Sequence, residues 1–467
     1  MLIKGVIEKT EGKERETLLR RLYLESPNIT EESIDMLKAF ITISGSAIIV
    51  VNLMKDIVIR RPAKKLNCLN FLMEFCSHDL YEVRQTATQI VMQLHAEEDF
   101  KNIIEEYATL YLKFLLNSAP PALLFGEDKG RPRLISVWME DTVKACLNLF
   151  LSILTKNQNL LRTLAEVYVD AKTLVYSNEK PVSVKHTILR ELDGPISKIS
   201  MDSDGLMDLL DDPIEGSETL ITRIVHILTD KSFPSEKLVR KVKRLYEERV
   251  EDVRFLIPVL NGLSKQEITQ CLPKLILLSQ GVLKEVFNRL LSAGPNGPMN
   301  APDLMIALHN LDASKTVMQA TNLLFKEKIY TQEILAIVLQ KLLEQTKIPI
   351  MYMRTVIQSL ATFPKMIGFV INILQKLITK QVWKQKVIWD GFIKACEKTM
   401  PQSYAVMLQL PPQQLNLFLE EAPHIREPLL VHVQNFNENQ RAHVSARTMK
   451  VLYNDYIKDD SAKNEDE

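Results

Sequence analysis

Between Pro364 and Pro401 the chain reads PKMIGFVINILQKLITKQVWKQKVIWDGFIKACEKTMP, and no other stretch restricts the fold as tightly. Met366, Ile367, Val370, Ile371, Leu374, Leu377 and Ile378 recur at steps of three and four, which places them on one face of a helix. After a Thr379–Lys380–Gln381 corner, Val382, Trp383, Val387, Ile388, Trp389, Phe392, Ile393 and Cys396 form a second apolar face. Pro364 and Pro401 suit helix starts, where the missing N–H is not needed. Neither helix can bury so wide a face alone. Each must pack on its sister and on neighbouring pairs, which is the construction of a helical solenoid.

The rest of the chain agrees. Only 14 of 467 residues are glycine, about half of average usage, and the chain is rich in Leu, Ile, Lys and Glu. The expected fold class is all-α, a HEAT/ARM-like helical-repeat solenoid. Basic and acidic side chains number 58 each, so nothing global draws the chain to nucleic acid or to an anionic membrane. The five cysteines (Cys68, Cys76, Cys146, Cys271, Cys396) are odd in number and scattered, which fits reduced core thiols in a cytosolic or nuclear setting. The N-terminus has no apolar core of signal-peptide length, and the most apolar run, Gly45–Met54, is too short to span a bilayer.

In chain order, helices are expected at Glu14–Leu24, Glu31–Thr42 (started by Thr30), Ala47–Ile59 and Lys64–Cys76. The next segment, HDLYEVRQTATQIVMQLH, resembles the second helix of a HEAT repeat. Asp79 is placed to cap it, Val83, Ala87 and Leu94 to face the sister helix, and Arg84 to reach an acid of the adjacent repeat. Asp99–Leu116 follows. The Asn117–Arg133 loop, with three prolines and two glycines, is either a binding loop or a solvated insertion. Leu134–Leu154 and Leu160–Tyr176 form the next pair. Gly194–Gly216 carries six acids against one lysine and reads as a surface connector, a hinge or a docking segment, with an amphipathic turn at Leu206–Leu210. Past it, Leu238, Val242, Leu245 and Val253 make a buried stripe on a basic helix, whose cations either track phosphates or pair within the helix as Lys243–Glu247 and Arg244–Glu248. Helices then follow closely to Tyr456. The spans Thr331–Pro364 and Pro364–Pro401, 33 and 37 residues, each hold two of them, near the HEAT period of roughly 40.

The chain carries no signature of chemistry. It has no GxxxxGK[ST] loop, no GxGxxG after a strand, no CxxC, no HxxxH and no GxSxG. His424 and His432 lie eight apart, and the acids at 202–204 and 211–212 sit in a solvated connector. The expectation is a non-enzyme with no catalytic, cofactor-binding or metal-binding residues. Two surface features stand out. Trp383 and Trp389, six apart, point to different helical faces, so that one can lie in the core and the other face a neighbouring repeat or a partner; the alternative buries both. Lys376–Lys398 holds six lysines against Asp390 and Glu397, a local field for an acidic protein segment or RNA, or simply a solvated face. Trp383, Lys384, Lys386 and Trp389 are the candidate partner-binding residues.

The words LKEVFNRLLS (283–292), LMIALHNLD (304–312), ATNLLF (320–325), TQEILAIVLQKL (331–342), MRTVIQSL (353–360), GFVINILQKLITKQVWKQKVIWDGFIKACEKTMPQS (368–403) and LQLPPQQL (408–415) occur in one order over about a third of the chain. This run closely resembles the C-terminal domain of the symplekin family, here at about 265–435. The resemblance implies a nuclear scaffold of pre-mRNA 3′-end cleavage and polyadenylation, and of histone mRNA 3′ processing. It implies partners: the metallo-β-lactamase endonuclease subunit of the cleavage and polyadenylation specificity factor, that subunit's inactive paralogue, and the cleavage stimulation factor, with RNA contacted only indirectly. The cutting chemistry and its zinc would belong to the partner. The family's links to cytoplasmic polyadenylation and, in vertebrates, tight junctions allow a cytoplasmic pool. Its N-terminal phosphatase-binding HEAT domain is not seen here, which puts phosphatase binding in doubt; the abrupt start, followed quickly by repeat helices, suggests a piece of a longer protein, and a fragment and an isoform lacking that domain are both open. No membrane contact and no small-molecule substrate are expected. The expected organisation is 1–193 HEAT-like repeats, 194–216 an acidic connector, 217–457 repeats including the family domain, and 458–467 a disordered acidic tail. A direct RNA-binding solenoid and a generic adaptor or trafficking solenoid are the alternative readings.

Overall fold

A computed structural model describes residues 2–41, 46–171, 183–292, 294, 297–326 and 330–453, with the backbone alone for Asn439 and Ala442. The acidic tail at 458–467 lies outside them, as do the ends of the helices expected to reach Thr42, Tyr176 and Tyr456. The regular structure of the described residues is helical, with no strand beyond an isolated bridge between Gly126 and Arg131. The chain is an all-α helical-repeat protein. It divides into two compact units, Met1–Gly262 and Leu263–Glu467.

The first unit contains α1 (Leu2–Lys9), α2 (Gly12–Glu25), α3 (Glu31–Phe40), α4 (Ala47–Arg60), α5 (Lys65–Phe75), α6 (Tyr81–Leu94), α7 (Glu98–Lys113), α8 (Glu140–Leu154), α9 (Leu161–Asp170), α10 (Val184–Glu191), α11 (Asp193–Ile196), α12 (Asp204–Asp211), α13 (Glu218–Thr229) and α14 (Glu236–Glu248), then a 3₁₀ segment, Val253–Gly262. Most helices pack on a successor or next-but-one, α4 on α5 and α6, α8 on α10, while α9 reaches on to α12. Thr30 caps α3 by accepting from the Ser33 N–H, and Val83, Ala87 and Leu94 are buried as their spacing predicts.

Several local expectations for this unit are corrected by long-range contacts. Asp79 does not cap α6; Leu80 is the residue at that position, and the Asp79 carboxylate lies 3.3 Å from Nε of Arg131. Arg84 does not reach an acid of another repeat but donates to the backbone carbonyls of His78 and Asp79, at 2.6 and 3.1 Å. The 117–133 loop is not a solvated insertion. It folds back so that Lys129 is 6% and Arg131 8% exposed. The Lys129 carbonyl accepts from the Asp79 N–H at 3.0 Å, and Asp128 meets Lys38 at 3.1 Å. Residues 194–216 lie inside the first unit, where Leu206, Met207, Leu209 and Leu210 of α12 are buried against α9 and α14. Gly205 allows this docking: a Cβ there would sit 2.3 Å from the Gln158 carbonyl oxygen. Val253 falls in the 3₁₀ segment and does not extend the α14 stripe. The residues from Leu134 to Met139 precede the helix instead of opening it.

The second unit contains α15 (Lys265–Leu275), α16 (Gln280–Ser292), α17 (Ala301–His309), α18 (Lys315–Phe325), α19 (Gln332–Glu344), α20 (Tyr352–Thr362), α21 (Ile367–Thr379), α22 (Lys386–Lys398), α23 (Tyr404–Met407), α24 (Pro412–Glu421), α25 (Arg426–Gln434), α26 (Glu438–Ala442) and α27 (Ala446–Leu452). Ser264, Asn300, Ser314 and Thr331 cap α15, α17, α18 and α19 through their side-chain oxygens, each worth about 1 kcal/mol. Helices two apart stack, α17 on α19, α19 on α21 and α20 on α22. Between the layers, the His309 ring spans Met305 O (2.7 Å) and Thr355 Oγ1 (2.6 Å). Pro364 opens a 3₁₀ turn before α21 as expected. Pro401 does not start a helix; it lies in the turn before α23.

Candidate functional site

The candidate residues lie on α21, the corner and α22. Val370, Leu374 and Leu377 turn the α21 stripe inward, together with Ile373, which the spacing argument omitted. The chain reverses at Gln381, whose φ of 54° is left-handed, and Val382–Lys384 form one 3₁₀ turn. On α22, Ile388, Phe392 and Cys396 are buried, whereas Val387 is 57% exposed.

The structure separates the two tryptophans. Trp389 is 5% exposed. It stacks on Phe392 at 5.4 Å between centroids and meets Phe418 of α24 edge-on at 6.0 Å. It is a packing residue, inaccessible to a partner in this fold. Trp383 is half-buried on the corner, beside exposed Lys384, Lys386 and Val387. Sequence spacing also passed over Gly391, which faces α20: a Cβ there would lie 2.4 Å from Met353 Cβ, so the glycine sets how closely α22 and α20 approach.

The corner is strongly cationic. Residues 364–389 hold five lysines and no acid. Lys376 donates to Gln340 Oε1 at 3.3 Å and Lys380 to the Gln345 carbonyl at 3.0 Å. Among the described residues, none of Lys376, Lys380, Lys384, Lys386, Lys394 and Lys398 forms an ion pair. The other basic helix behaves differently. Lys243–Glu247 (3.8 Å) and Arg244–Glu248 (2.9 Å) pair within α14, and Lys241 pairs with Asp211 of α12. The acidic segment therefore lies against the basic helix and offsets its field.

Among the described residues no reactive constellation accompanies these surfaces. All five cysteines are free and buried. Burial pushes the thiols of Cys68, Cys76 and Cys146 up to about 12 and that of Cys271 to about 11, and raises Cys396 as well. Such thiols stay protonated at neutral pH and are poor nucleophiles and ligands. Among the described residues no three His, Cys, Asp or Glu side chains gather in a way that could hold a metal ion. His424 sits 3.3 Å from Glu397, while His432 packs between Tyr404 and Phe436. None of the described helices is long and apolar enough to cross a membrane.

Residues 252–422 match the family model described as "Symplekin tight junction protein C terminal". The match covers more than a third of the chain and contains the whole α15–α23 stack, the lysine-bearing corner included. The C-terminal region of this chain thus matches the symplekin C-terminal domain.

Proposed function

We propose that the chain is a non-enzymatic scaffold of the pre-mRNA 3′-end processing machinery. On this reading its helical stack holds the cleavage endonuclease subunit and that subunit's inactive paralogue, with the cleavage stimulation factor as a further partner, in the nucleus. The observation that carries the reading is the symplekin match over 252–422. Helix stacking suits the role physically. Rigid neighbouring pairs present several faces at once, and co-binding raises the effective concentration of one partner near another.

The corner formed by Trp383, Lys384 and Lys386 is the proposed docking patch. Its cations are accessible and not engaged in ion pairs, and Trp383 offers the kind of side chain that dominates interfaces. The test is co-expression of the full chain with the C-terminal regions of the endonuclease subunit and its paralogue, followed by gel filtration. A stoichiometric complex is expected. Lys384→Glu with Lys386→Glu should disrupt it while leaving the circular dichroism unchanged. Separate peaks from a folded wild-type chain would overturn the scaffold reading, and an intact complex with the double variant would remove the patch from it.

A further inference from the structure

The cleft between α19 and α21 has no role in the packing described above. Its volume is about 440 Å³, and Gln409 of the turn after α23 borders it. Its walls carry four carboxamides: Gln340 from α19, Asn372 and Gln375 from α21, and Gln409 from the turn. Gln340 is engaged, donating to Glu344 at 2.6 Å and accepting from Lys376. Among the described residues, the side-chain amides of Asn372, Gln375 and Gln409 have no hydrogen-bond partner. Phe369 lies half-buried at the cleft.

A carboxamide offers one acceptor and a pair of donors, the complement of a peptide group. An extended peptide has N–H and C=O groups that pair with nothing in its own chain, so a row of free carboxamides is matched to its backbone rather than to a particular side chain. The α21 amides sit three residues apart on one helical turn, so both face the same lane. Charge selects the peptide. Lys376 lines the cleft, Lys380 follows one turn later, and the 364–389 segment that supplies both contains no acid. Single-stranded nucleic acid would need exposed rings for stacking. Among the described residues, the large exposed apolar side chains of this unit are aliphatic apart from Tyr453.

We propose that this cleft binds an extended, acidic segment of a partner protein, the carboxamides holding its backbone and Lys376 and Lys380 its carboxylates. The proposal deepens the scaffold reading by giving the chemistry of one partner segment. Its assay contains no processing subunit, so the two fail separately.

The full chain is titrated into a fluorescein-labelled peptide of alternating glutamate and serine, with anisotropy as the readout. The comparison ligands are the same peptide methylated on alternate backbone nitrogens and a labelled oligouridylate. Saturable binding of the parent peptide is expected, weakened about tenfold by backbone methylation and about tenfold by Asn372→Ala with Gln375→Ala, since each loses more than one hydrogen bond. Gln409→Ala, outside both helices, should weaken binding about threefold without touching helix stability, which guards against a folding artefact. No saturable binding below about 1 mM, equal affinity for the methylated peptide, or tighter binding of oligouridylate would each overturn the proposal.

Discussion

The two units spend their charges differently. In the first, cations of one helix reach acids of another: Arg20–Asp56 at 2.7 Å, Lys38–Glu74 at 2.9 Å, Lys65–Asp99 at 3.1 Å, Arg190–Glu140 at 3.2 Å and Arg223–Asp193 at 2.6 Å. In the second, Lys265–Asp303 joins α15 and α17 at 2.8 Å, but the lysines from 376 to 398 pair with no acid among the described residues. Exposed ion pairs stabilise by about 0–1 kcal/mol each, so the contrast says little about which unit is more stable. It says where electrostatic field is left over. The first unit pairs charge across its helices at these five places, and its basic α14 lies against acidic α12. The second retains an uncompensated cationic corner, which is what a docking surface for an acidic partner requires.

The sharpest way to break this comparison is Glu74→Ala. Glu74 serves Lys38 at 2.9 Å and lies 3.8 Å from the buried Lys129. Removing it should destabilise the first unit by about 3 kcal/mol, read as a fall in the denaturant midpoint, because a buried cation loses its counter-charge. A change within about 0.5 kcal/mol would mean that the pairing there is decorative. In the second unit the corresponding vulnerability is steric rather than ionic. Gly391→Ala should cost about 2 kcal/mol by forcing α22 away from Met353, and an unchanged midpoint would show that α20 and α22 yield freely.

Acid should act on both units through buried histidines. Burial, aided by Arg131, lowers the pKa of His78 to about 4, and burial lowers that of His309. Both rings are therefore neutral in the fold at pH values where an unfolded histidine, with its ordinary pKa near 6.5, is already protonated. Their contribution is fully present above that ordinary value and is lost as pH falls toward the lowered one. Denaturation midpoints taken from neutral pH down to about 4 should decline, and His78→Asn should flatten the decline of the first unit. An unaltered slope in that variant would assign the acid sensitivity elsewhere. The smallest effect sharpens the comparison from the other side: Lys384→Glu with Lys386→Glu should shift stability by less than about 0.5 kcal/mol, because neither lysine pairs with an acid among the described residues.

Periodicity and capping were enough to read much of this fold. Thr30 starts α3 as its position predicts, and Val83, Ala87 and Leu94 turn inward on α6 at the spacing expected of them. What spacing could not decide was which of several equivalent faces meets a neighbour. Val387 belongs to the predicted apolar face yet points outward, while Ile373, left out of it, is buried. Trp389 and Trp383 differ in fate because Phe418, some thirty residues on, meets only one of them, edge-on. Asp79 looked like a cap until the loop brought Arg131 to it. The carboxamide cleft was invisible for the same reason: Gln340, Asn372 and Gln409 come from three separate elements and form no word in the sequence.

The folded-back 117–133 loop has a kinetic consequence. Three prolines and two glycines suggest a segment that opens on its own. Yet its anchors are coupled: the Lys129 carbonyl holds the Asp79 N–H, its ammonium donates to Leu123 O at 2.5 Å, and Arg131 faces Asp79 while donating to Leu124 O at 3.3 Å. Lifting any one of them exposes two cations and strands Asp79, so the anchors should release together. The amide protons of Asp79, Gly126 and Arg131 should then exchange with solvent at a common rate, as one opening unit reaching from the turn before α6 to the approach to α8.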